Sequence, residues 1–409
     1  MPQLEASDHA AMSPRRTTIL GAALVAIGPI TMALYTPAMP ALAADFGTTE
    51  SMIKLTLTAY FAGFAVTQLI CGPLTDAFGR KPITLAFLAL YLASTVLATY
   101  APDVASMMIA RALQGVGAAV GIAVSRAIVR DQYTGQQSAQ IMNTIGTMLA
   151  LGPAISPTLG GFILELFGWQ EIFYCMIIYG AALFAAVALF QPETNAYKSI
   201  SNIHPGRLAT NYVTLLADLR FLRPSLLIGF CLGNLYAMAT VQPFVLIHAV
   251  GLTPFEFGLG MMMQSFSFIS GTLVTGQLLK RLDAERLIPV GIVMIVAASI
   301  IMALSLNILE PTYLSVMGPV GMFAFSLAFL LPASFTSAMR DFPHIAGAAS
   351  SMMGFLQFGG GILGSIAIAA LSNPLLGMGT IVPAMPILGV LLYLLMGCRL
   401  RNAQAAAAE

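Results

Sequence analysis

Twelve stretches of about twenty residues run almost free of charge through this chain, and no other feature restricts its fold as severely. A hydrocarbon core about 30 Å thick is crossed by about 20 helical residues at about 1.5 Å rise each, so every stretch is long enough to span a membrane. They lie near residues 19–43, 52–72, 83–100, 104–127, 138–163, 172–190, 225–248, 257–279, 287–307, 312–335, 345–371 and 379–398. Composition agrees. Charged residues are 9% of the 409, where a soluble protein carries roughly 25%. Hydrophobic residues make up 58% and the mean hydropathy is +0.86, so most of the chain has lipid as its solvent. The expectation is an all-α integral membrane protein. A net charge of +1 without a basic cluster excludes a nucleic-acid partner.

The loops fix an orientation, because Lys and Arg are retained on the cytoplasmic side. With the N-terminus inside, the inner segments and span ends hold Arg15, Arg16, Arg80, Lys81, Arg126, Arg130, Lys198, Arg207, Arg220, Arg223, Lys280, Arg281, Arg286, Arg340, Arg399 and Arg401, which is 16 of the 18 basic residues. The outer segments and their flanks carry Asp45, Glu50, Asp103, Glu165, Glu171, Glu256 and Glu310. Both termini then face the cytoplasm, and the polar leader Met1 to Thr18 precedes an uncleaved first span. The longest polar stretch, Pro192 to Arg223, separates two halves of six spans. The expected domains are 1–191, a linker 192–223, and 224–409. Gly72-Pro73-Leu74-Thr75 ending the second span has a worn counterpart in Gly276-Gln277-Leu278-Leu279 ending the eighth, as two six-helix repeats around a midplane site would give.

Three strings carry mechanism. Gly72-Pro73-Leu74-Thr75-Asp76-Ala77-Phe78-Gly79-Arg80-Lys81-Pro82 falls between the second and third spans and reads as a loop. Its glycines allow a tight turn, and Asp76 can pair with a cation or cap a helix, making Gly72, Asp76, Gly79, Arg80 and Lys81 a conformational latch. Arg111-Ala112-Leu113-Gln114-Gly115 lies in the fourth span, with Arg111 about 12 Å inward from Asp103 at 1.5 Å per residue. A charge at that depth costs several kcal/mol unless it faces protein or water. The fifth span carries Gly146, Gly152, Pro153, Pro157, Gly160 and Gly161, small residues that let helices approach and prolines that kink them.

These strings resemble motifs A, B and C of the major facilitator superfamily. Tyr35-Thr36-Pro37-Ala38-Met39-Pro40, Ser125-Arg126-Ala127-Ile128-Val129-Arg130-Asp131 and His344-Ile345-Ala346-Gly347-Ala348-Ala349-Ser350-Ser351 narrow the resemblance to its Bcr/CflA group of drug:proton antiporters. The resemblance implies the major facilitator fold, twelve helices in two pseudo-symmetric six-helix bundles, alternating access, and drug or antibiotic efflux driven by protons. It gives Arg111 a part in proton coupling, and the Gly152 to Gly161 motif marks antiporters. Two positions depart from the pattern: Ala77 stands where the family usually has Arg, and Ala33 stands where it commonly has an acid, the exchangeable proton site. The vacant acid position at Ala33 leaves open an uncoupled or locked form.

Lys54 is a second cation inside a span, either snorkelling outward towards Asp45 and Glu50 or lining an outward-opening cavity with Arg111. Two cations without a balancing acid would favour an anion, hence the alternative of exporting an anionic metabolite or carboxylate siderophore. The expected cavity is otherwise sparsely polar, with Tyr35, Tyr60, Gln68, Gln114, Asn143, Asn234, Gln242, Gln264 and Gln357 among many Met and Phe residues that suit large amphipathic substrates. Cys71, Cys175, Cys231 and Cys398 read as buried structural thiols, and no CxxC or His spacing suggests a metal. No phosphate-cradling loop or catalytic constellation appears, so neither enzyme activity nor a cofactor is expected. The partners are a small-molecule substrate, protons and membrane lipid, the chain acting as a monomer in the bacterial inner membrane. Arg80, Lys81 and Arg286 should face the cytoplasm. A cysteine replacing Lys81 is therefore expected to resist an impermeant thiol reagent applied outside the cell, and ready labelling would overturn the topology.

Overall fold

Helices begin where a side chain can satisfy the first free amides. Ser13, Thr49, Asp103, Thr253 and Thr312 each accept a bond from a backbone N–H of the following turn, and Thr253 with Glu256 forms a reciprocal capping box. In the computed structural model, which describes residues 12–195, 198–199 and 203–406, these starts open long apolar helices. Twelve are long and apolar enough to cross a membrane: Pro14–Asp45, Glu50–Phe78, Arg80–Thr99, Val104–Gln132, Gly135–Leu166, Trp169–Phe190, Leu219–Ala249, Pro254–Leu278, Glu285–Ile308, Tyr313–Met339, Pro343–Ala369 and Pro374–Asn402. The chain is a multi-pass membrane protein. Most of the leader, residues 1–11, lies outside the described residues.

The helices overrun the apolar runs because hydrogen bonding continues after hydrophobicity stops. The second reaches Phe78 rather than residue 72, and the third begins at Arg80, so Gly79 alone, with φ of 108°, makes the turn. Motif A is thus mostly helix, not loop. Likewise the seventh span begins at Leu219, and the linker contains a helix, Pro205–Ala217, whose Leu215 is buried and whose Tyr212 hydroxyl donates to the Leu69 carbonyl at 2.5 Å. Burial there pushes the Tyr212 phenol above its ordinary pKa.

Two six-helix bundles result. One core gathers residues such as Leu24, Leu57, Phe61, Tyr91, Val124 and Phe173; the other gathers Leu227, Val241, Ile295, Val320, Leu327 and Val382. Lipid-exposed surfaces offer no hydrophobic drive for helix association, so close approach depends on small residues. The second and fourth spans touch backbone to backbone: a Cβ on Gly63 would overlap the Ala112 carbonyl, and one on Gly115 the Tyr60 carbonyl. The fourth span breaks at Ala119 into Val104–Ala118 and Val120–Gln132, and the seventh ends in a π-helical turn, Phe244–Ala249.

The expected exposure also fails for some cysteines and for Arg80. Cys71 and Cys231 are buried, but Cys175 is partly exposed and Cys398, on the last turns of the twelfth span, is exposed. Arg80 is only 3% exposed, because it turns inward to carboxylates instead of reaching towards water.

Candidate functional site

The fourth span is anchored by Asp103, whose carboxylate accepts the Ser106 amide at 2.7 Å, a bond that holds the carboxyl below its usual pKa range. Two turns inward, Arg111 is fully buried. Its guanidinium carbon lies 4.2 Å from the centre of the Tyr35 ring and 4.6 Å from that of Tyr60. Nη1 donates to Gln114 Oε1, and Gln114 Nε2 donates to Thr95 Oγ1 at 2.8 Å. The surrounding hydroxyls are already engaged: Tyr35 with Thr56 at 2.6 Å, Tyr91 with Thr31 at 2.7 Å, and Tyr60 donating to the Gly28 carbonyl at 3.0 Å. Arg111 Nε and Nη2 are buried with no hydrogen-bond partner among the described residues. Each cation–π contact contributes about 2 kcal/mol when desolvated, which offsets part of a burial cost of several kcal/mol. What remains is a cation poised for an anion, a water or a proton acceptor.

Ala33 does not join this cluster. It is buried, but two residues before Tyr35 on a helix is about 200° around the axis, so Ala33 and Tyr35 face nearly opposite ways.

Lys54 neither snorkels nor stands without an acid. Its side chain is fully buried, with Nζ 3.8 Å from Glu50 Oε2 and 5.1 Å above the Phe244 ring. Because the second helix starts at Glu50, the two are an i,i+4 pair, which a span begun at residue 52 hides. Glu50 Oε1 also lies 2.9 Å from His248 Nδ1. This cluster joins the second span to the seventh, one from each bundle. Beside it, Glu165 accepts the Phe255 amide at 2.9 Å.

The same acidic end is closed by the fifth and eighth spans. A Cβ on Gly161 would strike the Pro254 carbonyl, and one on Gly258 the backbone of Pro157 and Thr158. Gly152 and Gly160 instead face the first span, at Ile30 and at the Leu34 carbonyl, while Pro153 and Pro157 lie within the helix. Towards the basic end Asn143, Thr144, Gly146 and Thr147 of the fifth span are exposed, as are Gly276 and Gln277 of the eighth. Asn143 is therefore not one of the buried polar groups.

Between the bundles lies an aromatic stack that the sequence reading missed. Tyr236 and Phe358 are parallel at 4.5 Å, Phe64 lies 4.4 Å from Phe358, and Phe61 lies 5.3 Å from Tyr236. Nothing distinguishes these four rings from others in apolar runs. Gln242 donates to Gln264 at 3.2 Å in the second bundle, Asn234 is buried with both amide atoms unpaired, Gln357 is buried, and Gln68 packs against Gly354.

At the basic end, Arg80 gathers the motif A residues. It pairs with Asp76, donates from Nε to Asp131 Oδ2 at 3.0 Å and from Nη1 to Thr75 Oγ1 at 2.8 Å, and its amide donates to Glu193 at 2.9 Å. Lys81 Nζ donates to the Ala188 carbonyl at 2.8 Å. All these partners belong to the first bundle or the residues just after it. Across the seam, Gly72 faces Ser351, and Arg126 donates to Ser350 at 3.3 Å.

Comparison with known proteins agrees with this architecture. The Major Facilitator Superfamily pattern matches residues 14–365. The chain is 29% identical to an uncharacterized MFS-type transporter, YdgK, of Bacillus subtilis, over 87% of each chain. It is 25% identical to multidrug resistance protein D of Escherichia coli over 91% of this chain and 92% of that one, and 26% identical to a bicyclomycin resistance protein homolog of Haemophilus influenzae over 83% and 85%. A crystal structure of a D-xylose-proton symporter superposes with a TM-score of 0.72 at 15% identity, over 93% of this chain and 97% of that one.

The acidic-end cluster yields a graded expectation. Losing His248 removes a bond to a charged group, worth about 1.5–3 kcal/mol, whereas losing Glu50 also strands Lys54 in the interior, at about 3–5 kcal/mol. With spin labels on exposed Met52 and Ala249, His248→Ala should raise the population of longer distances about tenfold, and Glu50→Ala should raise it further. An unchanged distance distribution in both would show that the cluster does not hold the bundles together.

Proposed function

The chain belongs to the Major Facilitator Superfamily, in its Bcr/CflA group, and from that membership and the buried Arg111 we propose a proton-driven exporter of drugs or antibiotics. The single observation that carries the reading is Arg111, a cation clamped between Tyr35 and Tyr60 with two nitrogens unpaired. A protein keeps such a charge against a cost of several kcal/mol where it serves transport. Names of relatives supply the substrate class. Alternating access would be the mode, with the acidic end shut by Glu50 with His248 and by the fifth and eighth spans. The cycle would part this glycine-lined contact and rearrange the seam at the basic end, where Arg126 donates to Ser350. The motif A residues, gathered by Arg80 with Asp76, would act as the latch that holds one conformation. The segments would divide as 1–191, 192–223 and 224–409, the linker running into the start of the seventh helix at Leu219, with both termini in the cytoplasm and one chain in the bacterial inner membrane sufficing.

One observation favours a second reading. With Lys54 matched by Glu50, Arg111 is left without a counter-charge among the described residues, which suits a carboxylate-bearing substrate. Expression in cells stripped of drug pumps distinguishes the two. Resistance to bicyclomycin or chloramphenicol, abolished by a protonophore and reduced more than tenfold by Arg111→Ala at equal membrane abundance, is expected. Resistance indifferent to both treatments would refute the proposal, and export of an amphipathic carboxylate in place of these drugs would establish the second reading.

A further inference from the structure

A groove of about 520 Å³ runs along the outer surface of the first bundle, between the first and sixth spans. Its mouth lies at the basic end and carries Arg15 and Arg16, both exposed. Among the described residues neither forms an ion pair, no acidic residue lies in the first turn of the helix, and the Arg16 guanidinium hangs 5.9 Å from the Phe190 ring. The helix N-terminus itself adds partial positive charge at the same place.

Below the arginines the walls are apolar. Ala23 on one helix and Ala182 and Ala186 on the other are small enough to leave a trough, floored by buried Leu20 and Leu183. The trough ends where the Tyr179 hydroxyl crosses to the Ala23 carbonyl at 2.7 Å. From Phe190 to Tyr179 is eleven residues, about 16 Å of helix, close to half of a hydrocarbon core about 30 Å thick. The groove is therefore one leaflet deep, cationic at the headgroup level and apolar below it.

We propose that this groove is a binding site for an anionic glycerophospholipid, with its phosphate on Arg15 and Arg16 and an acyl chain lying in the alanine-lined trough down to Tyr179. A soluble phosphate would have no use for the trough, and a zwitterionic lipid would leave two guanidinium forks without a net anion. The site is independent of what the transporter carries.

Native mass spectrometry of the full-length protein in detergent, titrated with phosphatidylglycerol or phosphatidylcholine, tests the assignment. One phosphatidylglycerol should be retained with at least tenfold preference, falling to twofold or less in Arg15→Gln/Arg16→Gln. Ala186→Phe, which fills the trough and keeps both arginines, should cut retention about as much. Normal elution and helical circular dichroism certify the fold of each variant. No preference in the wild type, or retention unaffected by either change, would overturn the site. Displacement of the lipid by millimolar inorganic phosphate would reassign it to a free anion. The N-terminal segment carries Glu5 and Asp8, so lipid binding that appears only after deletion of residues 2–11 would make that segment the occupant instead.

Discussion

A guanidinium held about 12 Å inside a lipid-solvated bundle is the interaction around which the first half of this protein is arranged. Arg111 takes two aromatic faces and one amide oxygen, and each of those partners is fixed in turn: Tyr35 by Thr56, Tyr60 by the Gly28 carbonyl, Gln114 by Thr95. The first, second, third and fourth spans are thereby tied to one charge. Their backbones must come close for that geometry, which the Gly63 and Gly115 contacts permit. Two nitrogens still lack partners, so the cluster is well ordered and electrostatically unfinished. That combination suits a site whose charge balance changes during a cycle.

Sealing the acidic end depends on a different economy. Glycines and prolines of the fifth and eighth spans let the bundles touch main chain to main chain, and the Glu50, Lys54 and His248 cluster adds charge across the seam. Contacts of small residues bury little area and part at low cost, whereas the ionic cluster is directional. Together they hold this end closed in one register. The aromatic stack of Phe61, Phe64, Tyr236 and Phe358 lies deeper between the same bundles, where sliding rings can stay in contact over a range of positions.

Twelve spans and two bundles are legible in the sequence because lipid demands long apolar helices, and interruptions of that pattern are conspicuous. Helix ends are less legible, since caps such as Thr49 extend a helix past its apolar part. That extension brings Glu50 onto the same helix as Lys54 and turns an apparent surplus cation into an ion pair. The inward turn of Arg80 has a local part, the i,i+4 pair with Asp76, and a distant part, Asp131, 51 residues away, which no local pattern discloses. Arg111 stands out because charge in a span is rare, but its tyrosine clamp requires three helices to converge. Ala33 is conspicuous by comparison with a family pattern, yet its side of the helix is set by packing that spacing alone only hints at.

Proton coupling with Ala33 in place of a first-span acid is tested most directly by transport into proteoliposomes. Purified protein, reconstituted with an imposed pH gradient, should accumulate bicyclomycin or chloramphenicol above the external concentration, and collapse of the gradient should return it to equality. Equilibration that never exceeds the external concentration, with or without the gradient, would make the protein a passive facilitator and contradict proton coupling.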